Sequence, residues 1–300
     1  MPATLPSRVQ VYEVGPRDGL QNESQIVPVD VKVRYIEALG SAGLSAIEVS
    51  SLVRPGSIPQ LADAEEVLKR LPRAATARRV VLVPNVRGLE RLPEGTAEGI
   101  ALFTAASETF SRRNTNASID ETFQRFAPVV RSARESGLWV RGYVSCAFGC
   151  PYEGSVSEAA VVHVSERLRD LGVDEIAISD TIGAAAPRDV ERVMNPVLQR
   201  MRIDTLALHF HDSRGTALVN VYAALALGIH TFDSSAGGLG GCPYAPGATG
   251  NLATEDLIYM LDGLGIETGV QLAEVVKATQ ALACATGIEP PSRYYRSAVA

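Results

Sequence analysis

The chain has 300 residues, of which 46% are hydrophobic and 21% are charged, and its formal net charge is −6. These values are typical of a globular protein, and an acidic chain without a block of Lys or Arg is not expected to bind nucleic acid. The sequence has no long apolar run and no apolar signal core near its start, so we expect no membrane segment. Four cysteines are too few for a disulfide framework in a chain of this size, which favours a reduced, cytoplasmic protein.

Short β-rich runs alternate with longer amphipathic stretches along the chain. The runs that predict strands are Val9–Val14, Ala46–Ser50, Val80–Val83, Gly99–Phe103, Trp139–Ser145, Glu175–Ser179, Thr205–His211 and Thr231–Ser235. The patterns that predict helices are Val31–Ala42, Ala62–Leu71, Ile119–Ser136, Ser157–Leu171, Pro187–Met201, Thr216–Leu227 and Thr254–Leu264. Asp30 and Thr254 are predicted N-caps because each lies at the start of a helical pattern.

The alternation of strands with helices is typical of βαβ units and a parallel sheet. Eight units favour a closed barrel over an open sheet. A dinucleotide-binding fold needs G-x-G-x-x-G after the first strand, whereas this strand is followed by Gly15-Pro16-Arg17-Asp18-Gly19. We therefore predict an α/β fold, a (β/α)8 TIM barrel. It is expected to form a single domain over residues 1–300, with residues 271–300 as an extra C-terminal helical segment.

Polar residues cluster where the predicted strands end. In a barrel of this type the active site lies at the carboxyl ends of the strands, so these side chains are expected to converge on one mouth. They are Arg17, Asp18, Glu48, Ser51, Tyr143, Ser145, Asp180, Thr181, His209, His211, Asp212 and Asn251.

Two histidines at this mouth predict a metal site. His209 and His211 are two residues apart on a strand, so both side chains point to the same face. Asp18 and the amide oxygen of Asn251 complete a mixed nitrogen and oxygen set that suits Mg²⁺ or Mn²⁺. No set of thiolate ligands is evident, so a structural zinc site is not expected.

A glycine-rich segment, Gly237–Ala245, carries Cys242 between flexible residues. One interpretation is a tight turn with an incidental buried thiol, and the other is a reactive thiol on a mobile loop. Arg17 likewise either forms an ion pair with Asp18 or Glu48, or holds an oxyanion beside the metal. Metal, arginine and thiol together suit the cleavage of a carbon–carbon bond next to a thioester, where the thiol protonates the enolate carbon.

With these residues in place, the sequence resembles the 3-hydroxy-3-methylglutaryl-CoA lyase family of metal-dependent barrels. The resemblance runs over nearly all of the chain, and the R-D-G-L-Q-N-E run and the G-G-L-G-G-C-P-Y loop are its most specific motifs. The matching stretches are Glu13–Glu23, Ile47–Val49, Arg141–Ala147, Gly149–Gly154, Asp180–Gly183, His209–Asp212, Gly237–Ala245 and Gly250–Asp256.

The resemblance implies cleavage of 3-hydroxy-3-methylglutaryl-CoA to acetyl-CoA and acetoacetate, as in leucine degradation and ketone-body formation. It implies a divalent metal, an acyl-CoA substrate and, by analogy alone, a homodimer. The implied metal ligands are Asp18, His209, His211 and Asn251, with Glu255 and Gln21 supporting them. The implied catalytic residues are Arg17, Cys242, Glu48, Asp180 and His209. The residues expected to bind the substrate are Arg17, Gln21, Ser51, Tyr143 and Thr181.

One position departs from the family pattern: Arg214 stands where we expect an aromatic residue such as Tyr. This change affects either the contacts with CoA or a subunit interface. Two alternatives to the main interpretation stay open. The first is the same chemistry on a related, longer-branched acyl-CoA, because the motifs describe only the reacting end. The second is a metal-dependent hydrolase or a barrel that only binds; a hydrolase attacks with bound water and leaves Cys242 without a role.

Overall fold

Eight parallel strands close into a barrel in the computed structural model, which describes residues 5–72, 77–241 and 250–300. Each strand pairs with the next one along the chain, and the last pairs with the first. The strands are β1 (Gln10–Glu13), β2 (Ala46–Ser51), β3 (Arg78–Leu82), β4 (Gly99–Ala105), β5 (Trp139–Ser145), β6 (Glu175–Asp180), β7 (Leu206–Phe210) and β8 (Thr231–Ser234). The predicted TIM barrel is confirmed, and each predicted strand is present with its ends shifted by two residues at most.

Helices surround the barrel. They are α1 (Val29–Ser41), α2 (Ala64–Arg70), α3 (Val86–Glu90), α4 (Glu108–Thr115), α5 (Ile119–Glu135), α6 (Glu158–Leu171), α7 (Pro187–Leu198), α8 (Ala217–Ala226), α9 (Thr254–Gly263), α10 (Leu272–Thr286) and α11 (Arg293–Val299). The sequence patterns missed α3 and α4 because both are short and α4 is mostly polar. Among the described residues, no helix combines the length and the apolar character needed to cross a bilayer.

Two helices, α10 and α11, lie within the predicted C-terminal segment. α10 packs against α1 and α9, and α11 packs against α9. The carboxylate of Asp256 accepts hydrogen bonds from Ser292 Oγ at 2.8 Å and from the backbone N–H of Tyr294 at 2.7 Å. The second bond satisfies an N–H group at the start of α11, and both attach α11 to the helix that follows β8.

The two predicted N-caps are wrong. Pro28 precedes α1, and Asp30 lies inside its first turn. Ala253 precedes α9, and Thr254 is the first helical residue. The hydroxyl of Thr254 donates to Glu13 at 2.7 Å, so this side chain makes a tertiary contact.

The interior of the barrel is separate from the apolar layer between strands and helices. It is formed by one residue or more from each of β1 to β7, and several of them are small: Ala46, Ala101, Ala177 and Ala207. The small residues leave room for a charged side chain, since the fully buried guanidinium of Arg141 lies 3.8 Å from the ring centroid of Tyr12. The barrel core therefore carries a buried ionic group directly below its mouth.

Candidate active site

The strands open at their carboxyl ends into a cavity of about 970 Å³. Predicted site residues that line it are Arg17, Asp18, Gln21, Ser51, Tyr143, Thr181, His209 and His211. Four others lie behind this wall: Glu48, Asp180, Asn251 and Glu255. Cys242 lies outside the described residues, while its neighbour Gly241 lines the cavity. The structure thus separates the side chains that line the cavity from those that lie behind its wall.

A single π-helical turn, Gly15–Gly19, presents Arg17 and Asp18 to the cavity. The carbonyl oxygen of Val14, at the end of β1, accepts hydrogen bonds from the N–H groups of Arg17, Asp18 and Gly19 at 2.7 to 3.1 Å. Turns of this kind are rare and occur often at functional sites. Here the turn places two adjacent charged side chains in one cavity.

Arg17 forms ion pairs with both predicted partners and also lines the cavity. Its Nε donates to Glu48 and its Nη1 donates to Asp18. Burial disfavours the charged guanidinium, but Glu48 and Asp18 outweigh this and raise the pKa of Arg17 above its usual value. No described residue accepts a hydrogen bond from Nη2, so this end of the guanidinium is available to an anionic group.

Glu48 is fully buried and both of its oxygens are used. One oxygen accepts from Arg17, and the other accepts from the hydroxyl groups of Tyr143 at 2.8 Å and Tyr12 at 3.2 Å. A carboxylate held in this way fixes the two cavity-lining residues, Arg17 and Tyr143, in one arrangement.

Asp18, His209 and His211 form a cluster in which one potential ligand atom from each lies within 4.8 Å of the others. Burial opposes ionisation of Asp18, but Arg17, His209 and His211 outweigh it and lower the pKa of this carboxyl to about 2. Burial, with His209 beside it, lowers the pKa of His211 to about 4. An ionised carboxylate and a neutral imidazole are the forms in which these residues bind a divalent cation.

Asn251 lies beside this cluster, paired through its backbone with His211. Its Nδ2 donates to Asp18 at 2.9 Å and to the carbonyl of Leu239 at 3.1 Å. The buried Oδ1 has no hydrogen-bond partner among the described residues. The oxygen and nitrogen ends of an amide have the same shape. Turned over, the amide would place its oxygen against that of Asp18, an arrangement that a cation between the two oxygens stabilises, so this donor set fits a divalent metal.

The loop after β6 is held on both sides. Asp180 accepts hydrogen bonds from the N–H groups of Ala184 and Ala185, both at 2.9 Å, and its burial raises the pKa of the carboxyl. Thr181 Oγ1 accepts from the N–H of Cys146 at 2.8 Å. Arg214, the residue that departs from the expected pattern, donates to the carbonyls of Ile182 and Gly183 at 2.7 and 2.8 Å. Arg214 therefore fastens the loop that presents Thr181.

Two buried glutamates hold the start of the glycine-rich segment. Glu13 accepts from the N–H groups of Gly15 at 2.7 Å and Ala236 at 2.9 Å, and so joins the turn after β1 to the segment after β8. Glu255 accepts from the N–H of Gly237 and from Thr279 Oγ1. Burial raises the pKa of each glutamate to about 7, in spite of these hydrogen bonds.

Sequence reasoning assigned no role to Arg141, Asp233 or Glu13. Arg141 and Asp233 form a buried ion pair at 2.6 Å inside the barrel, and Asp233 also contacts His209. The sequence does carry a signal for them, because a charged residue within an apolar strand has to be paired when the strand is buried. The identity of the partner is a tertiary fact, since 92 residues separate the two.

The cavity is strongly cationic. Among the described residues that line it, Asp18 is the single carboxylate, whereas the arginines are Arg17, Arg54, Arg87, Arg91 and Arg125. Arg91 is paired with Glu65 at 2.7 Å, and Arg17 with the site carboxylates. A concave surface lined by one sign of charge attracts ligands of the opposite sign. This cavity is suited to a ligand with several negative charges.

Comparison with known proteins identifies the family. The HMGL-like family matches residues 8–282. The chain belongs to this family. Hydroxymethylglutaryl-CoA lyase from Rattus norvegicus, a mitochondrial protein, is 50% identical to the chain over 275 residues, which cover 92% of the chain and 85% of the relative.

Solved structures agree with this membership of the HMGL-like family. The HMG-CoA lyase of Bacillus subtilis superposes with a TM-score of 0.97 at 45% identity and covers 100% of both chains. An HMG-CoA lyase from Acinetobacter baumannii, solved with coenzyme A and 3-methylmalate, superposes with a TM-score of 0.92 at 38% identity over 97% of this chain and 95% of that one. The predicted family and the predicted class of carbon–carbon lyase are confirmed by these matches.

Proposed function

We propose that the chain cleaves 3-hydroxy-3-methylglutaryl-CoA to acetyl-CoA and acetoacetate in a metal-dependent reaction. The observation that carries the proposal is the placement of Arg17 beside the cluster of Asp18, His209 and His211 in one cationic cavity. Hydroxymethylglutaryl-CoA lyases of two organisms match the chain over most of its length.

Asp18, His209 and His211, with Asn251 through its amide oxygen, would hold the metal, and hard oxygen and imidazole ligands favour Mg²⁺ or Mn²⁺. When bound, such a cation polarises the oxygen atoms of the substrate that it contacts. Gln21 donates to Asp18 at 2.8 Å and so fixes the orientation of this carboxylate.

Arg17 supplies the fixed positive charge for the thioester oxygen. As the carbon–carbon bond breaks, negative charge develops on this oxygen, and a guanidinium already held by Glu48 needs no reorganisation to stabilise it. Glu48 thus acts by holding Arg17 and Tyr143 rather than by contacting the substrate.

Two protons have to move. The acceptor of the hydroxyl proton has to reach the cavity, and the carboxylate of Asp18 does so, whereas Glu48 and Asp180 lie behind the wall. The donor to the new methyl carbon is Cys242, which the sequence places directly after the cavity-lining Gly241. Glu13 and Glu255 fix the backbone that leads toward this thiol.

The cationic side of the cavity suits the phosphates of an acyl-CoA. The cavity is lined by Arg54, Arg87 and Arg125 as well as by Arg17. Its positive charge therefore extends beyond the reacting end. The Acinetobacter baumannii relative was solved with coenzyme A, a polyanion of this class. Ser51, Tyr143 and Thr181 line the same cavity and would contact the acyl part.

A panel of 3-hydroxyacyl-CoA thioesters tests the substrate. We expect 3-hydroxy-3-methylglutaryl-CoA to give the highest kcat/KM, with acetyl-CoA and acetoacetate formed in equal amounts. A higher kcat/KM for a longer-branched 3-hydroxyglutaryl-CoA would transfer the assignment to that substrate. Release of free CoA without cleavage of the acyl chain would instead identify a thioester hydrolase.

A cytoplasmic location and a homodimer complete the proposal. The relatives include mitochondrial and cytoplasmic forms, so the family alone leaves the compartment open. Fractionation of cells and sedimentation of the purified chain test these two points.

A further inference from the structure

The neighbour of His209 across the sheet is Asp233. The two residues lie opposite each other in the parallel pair of β7 and β8. His209 Nδ1 and Asp233 Oδ2 are 3.1 Å apart, and the carboxylate is 1% exposed. His209 therefore has one ring nitrogen on a buried carboxylate, while its other ring nitrogen, Nε2, is left for a cation.

We propose that Asp233, held by Arg141, is a positioning residue that keeps the proton of His209 on Nδ1 and directs the lone pair of Nε2 to the metal site. The inference rests on the metal site of the proposed function. It concerns Asp233 and Arg141, to which the sequence patterns assigned no role. A histidine that binds a metal commonly donates its other ring N–H to a carboxylate, which fixes the tautomer and the orientation of the ring.

Arg141 determines whether Asp233 donates or accepts hydrogen bonds. Its Nη2 donates to Oδ1 at 2.6 Å and its Nη1 donates to Oδ2 at 3.1 Å, a two-point pairing inside the barrel. A carboxylate paired with a permanent cation stays ionised and can only accept hydrogen bonds. Nδ1 of His209 has to be the donor, which in the neutral imidazole leaves Nε2 unprotonated.

His211 provides an internal contrast. Its Nδ1 is buried and has no hydrogen-bond partner among the described residues. Among the described residues, no hydrogen bond to Nδ1 fixes the tautomer of His211, and its Nε2 lies 3.9 Å from Asp18 Oδ2. A buried carboxylate on Nδ1 is found at His209, on the strand next to Asp233.

The other end of Arg141 offers a matched control. Its Nε lies 2.8 Å from Glu175, a second buried carboxylate that does not line the cavity. Glu175→Gln removes one charge beside Arg141, as Asp233→Asn does, but leaves the contact between Asp233 and His209 in place. A general loss of stability inside the barrel is expected in both variants, and a loss of tautomer selection only in Asp233→Asn.

The first experiment measures the tautomer without metal. In Asp233→Asn the charged Arg141 attracts the amide oxygen, which turns the NH₂ group toward His209 and makes Nδ1 an acceptor. Long-range ¹H–¹⁵N spectra of protein labelled at its four histidines report which nitrogen carries the proton. We expect Nδ1–H in the unsubstituted protein and in Glu175→Gln, and Nε2–H in Asp233→Asn, with His209→Gln used for assignment.

The second experiment measures affinity for Mn²⁺ alone by calorimetry. We expect Asp233→Asn to bind Mn²⁺ about 10- to 100-fold more weakly, and Glu175→Gln to bind it as the unsubstituted protein does. If Asp233→Asn does not fold, Arg141→Gln/Asp233→Asn removes both charges together, and we expect it to bind Mn²⁺ more weakly than Glu175→Gln does.

Nδ1–H retained at His209 in Asp233→Asn, unchanged Mn²⁺ affinity in the variant tested at Asp233, or equal loss of Mn²⁺ affinity in Glu175→Gln, would overturn the proposal. Neither readout uses the acyl-CoA substrate. Failure of the substrate assignment leaves both results interpretable, and failure of this inference leaves the substrate assignment intact.

Discussion

Arg17 and Glu48 form a buried ion pair across the mouth of the barrel, although 31 residues separate them in the chain. The pair places a permanent cation beside the cluster of Asp18, His209 and His211, and it occupies one oxygen of Glu48. Since Tyr143 donates to the second oxygen, one carboxylate fixes both residues.

Loss of the Arg17 guanidinium should raise mainly the free energy of the transition state. We expect Arg17→Gln to lower kcat by roughly 10²- to 10³-fold with a smaller change in KM, because the charge it stabilises develops during cleavage. Arg17→Lys should restore little, since an ammonium group cannot contact Glu48, Asp18 and the substrate through one planar fork. Steady-state kinetics with Mn²⁺ occupancy measured in each variant checks this, and a raised KM at unchanged kcat would contradict it.

Chelation should abolish turnover, and Mg²⁺ or Mn²⁺ should restore it. His211→Ala removes a member of the metal cluster and should weaken Mn²⁺ binding and lower kcat together. The control is His163→Ala, which removes an exposed imidazole on α6. Full activity after exhaustive chelation, with metal content verified, would show that the reaction does not depend on the cluster.

Cys242 should be the thiol on which turnover depends. We expect Cys242→Ser to bind Mn²⁺ normally and to lose most of its kcat, because a hydroxyl is a much weaker acid, and Cys284→Ser to keep its kcat. Alkylation is best measured in the Cys284→Ser background, since Cys284 is exposed whereas Cys146 and Cys150 are buried. Substrate should slow alkylation there. Near-normal kcat in Cys242→Ser would remove the thiol from the mechanism.

Glu13 should make stability depend on pH. Burial raises its pKa from 4.5 to about 7, so the folded protein keeps a proton that the unfolded chain releases. The free energy of unfolding should therefore fall as the pH rises from about 4.5 to about 7, and Glu255 adds in the same direction. Urea unfolding across this range should show a smaller slope in Glu13→Gln and the original slope in Glu37→Gln, which alters an exposed residue of α1.

The arginines that line the cavity should contribute to substrate binding rather than to the chemical step. Arg87→Ala, which removes an arginine that lines the cavity, should raise KM for the acyl-CoA about 2- to 10-fold and leave kcat nearly unchanged. The difference from the unsubstituted protein should shrink as salt is added, because ions screen an exposed charge. Arg34→Ala, on the exposed face of α1, is the control. An effect on kcat alone would exclude Arg87 from substrate binding.

The sequence by itself determined the barrel and most of the residues that line its cavity. Strand and helix periodicities are local, so each β-rich run could be recognised from its own residues, and the rule for barrel mouths then brought Arg17, Asp18 and His209 together. The motif around Asp18 and the H-x-H pair predicted a metal site in the same way, and the structure brings Asp18, His209 and His211 together.

The tertiary structure alone decided which of these residues face a ligand and which hold them. Glu48 and Asp180 end strands as the lining residues do, yet their oxygens are taken by Arg17 and Tyr143 and by backbone N–H groups. Hydrogen-bond partners far apart in the chain leave no local pattern, which is why Asp233 and Arg141 could not be paired from the sequence. The physical reason is that a buried charge needs a partner, and only the closed barrel determines which strand supplies it.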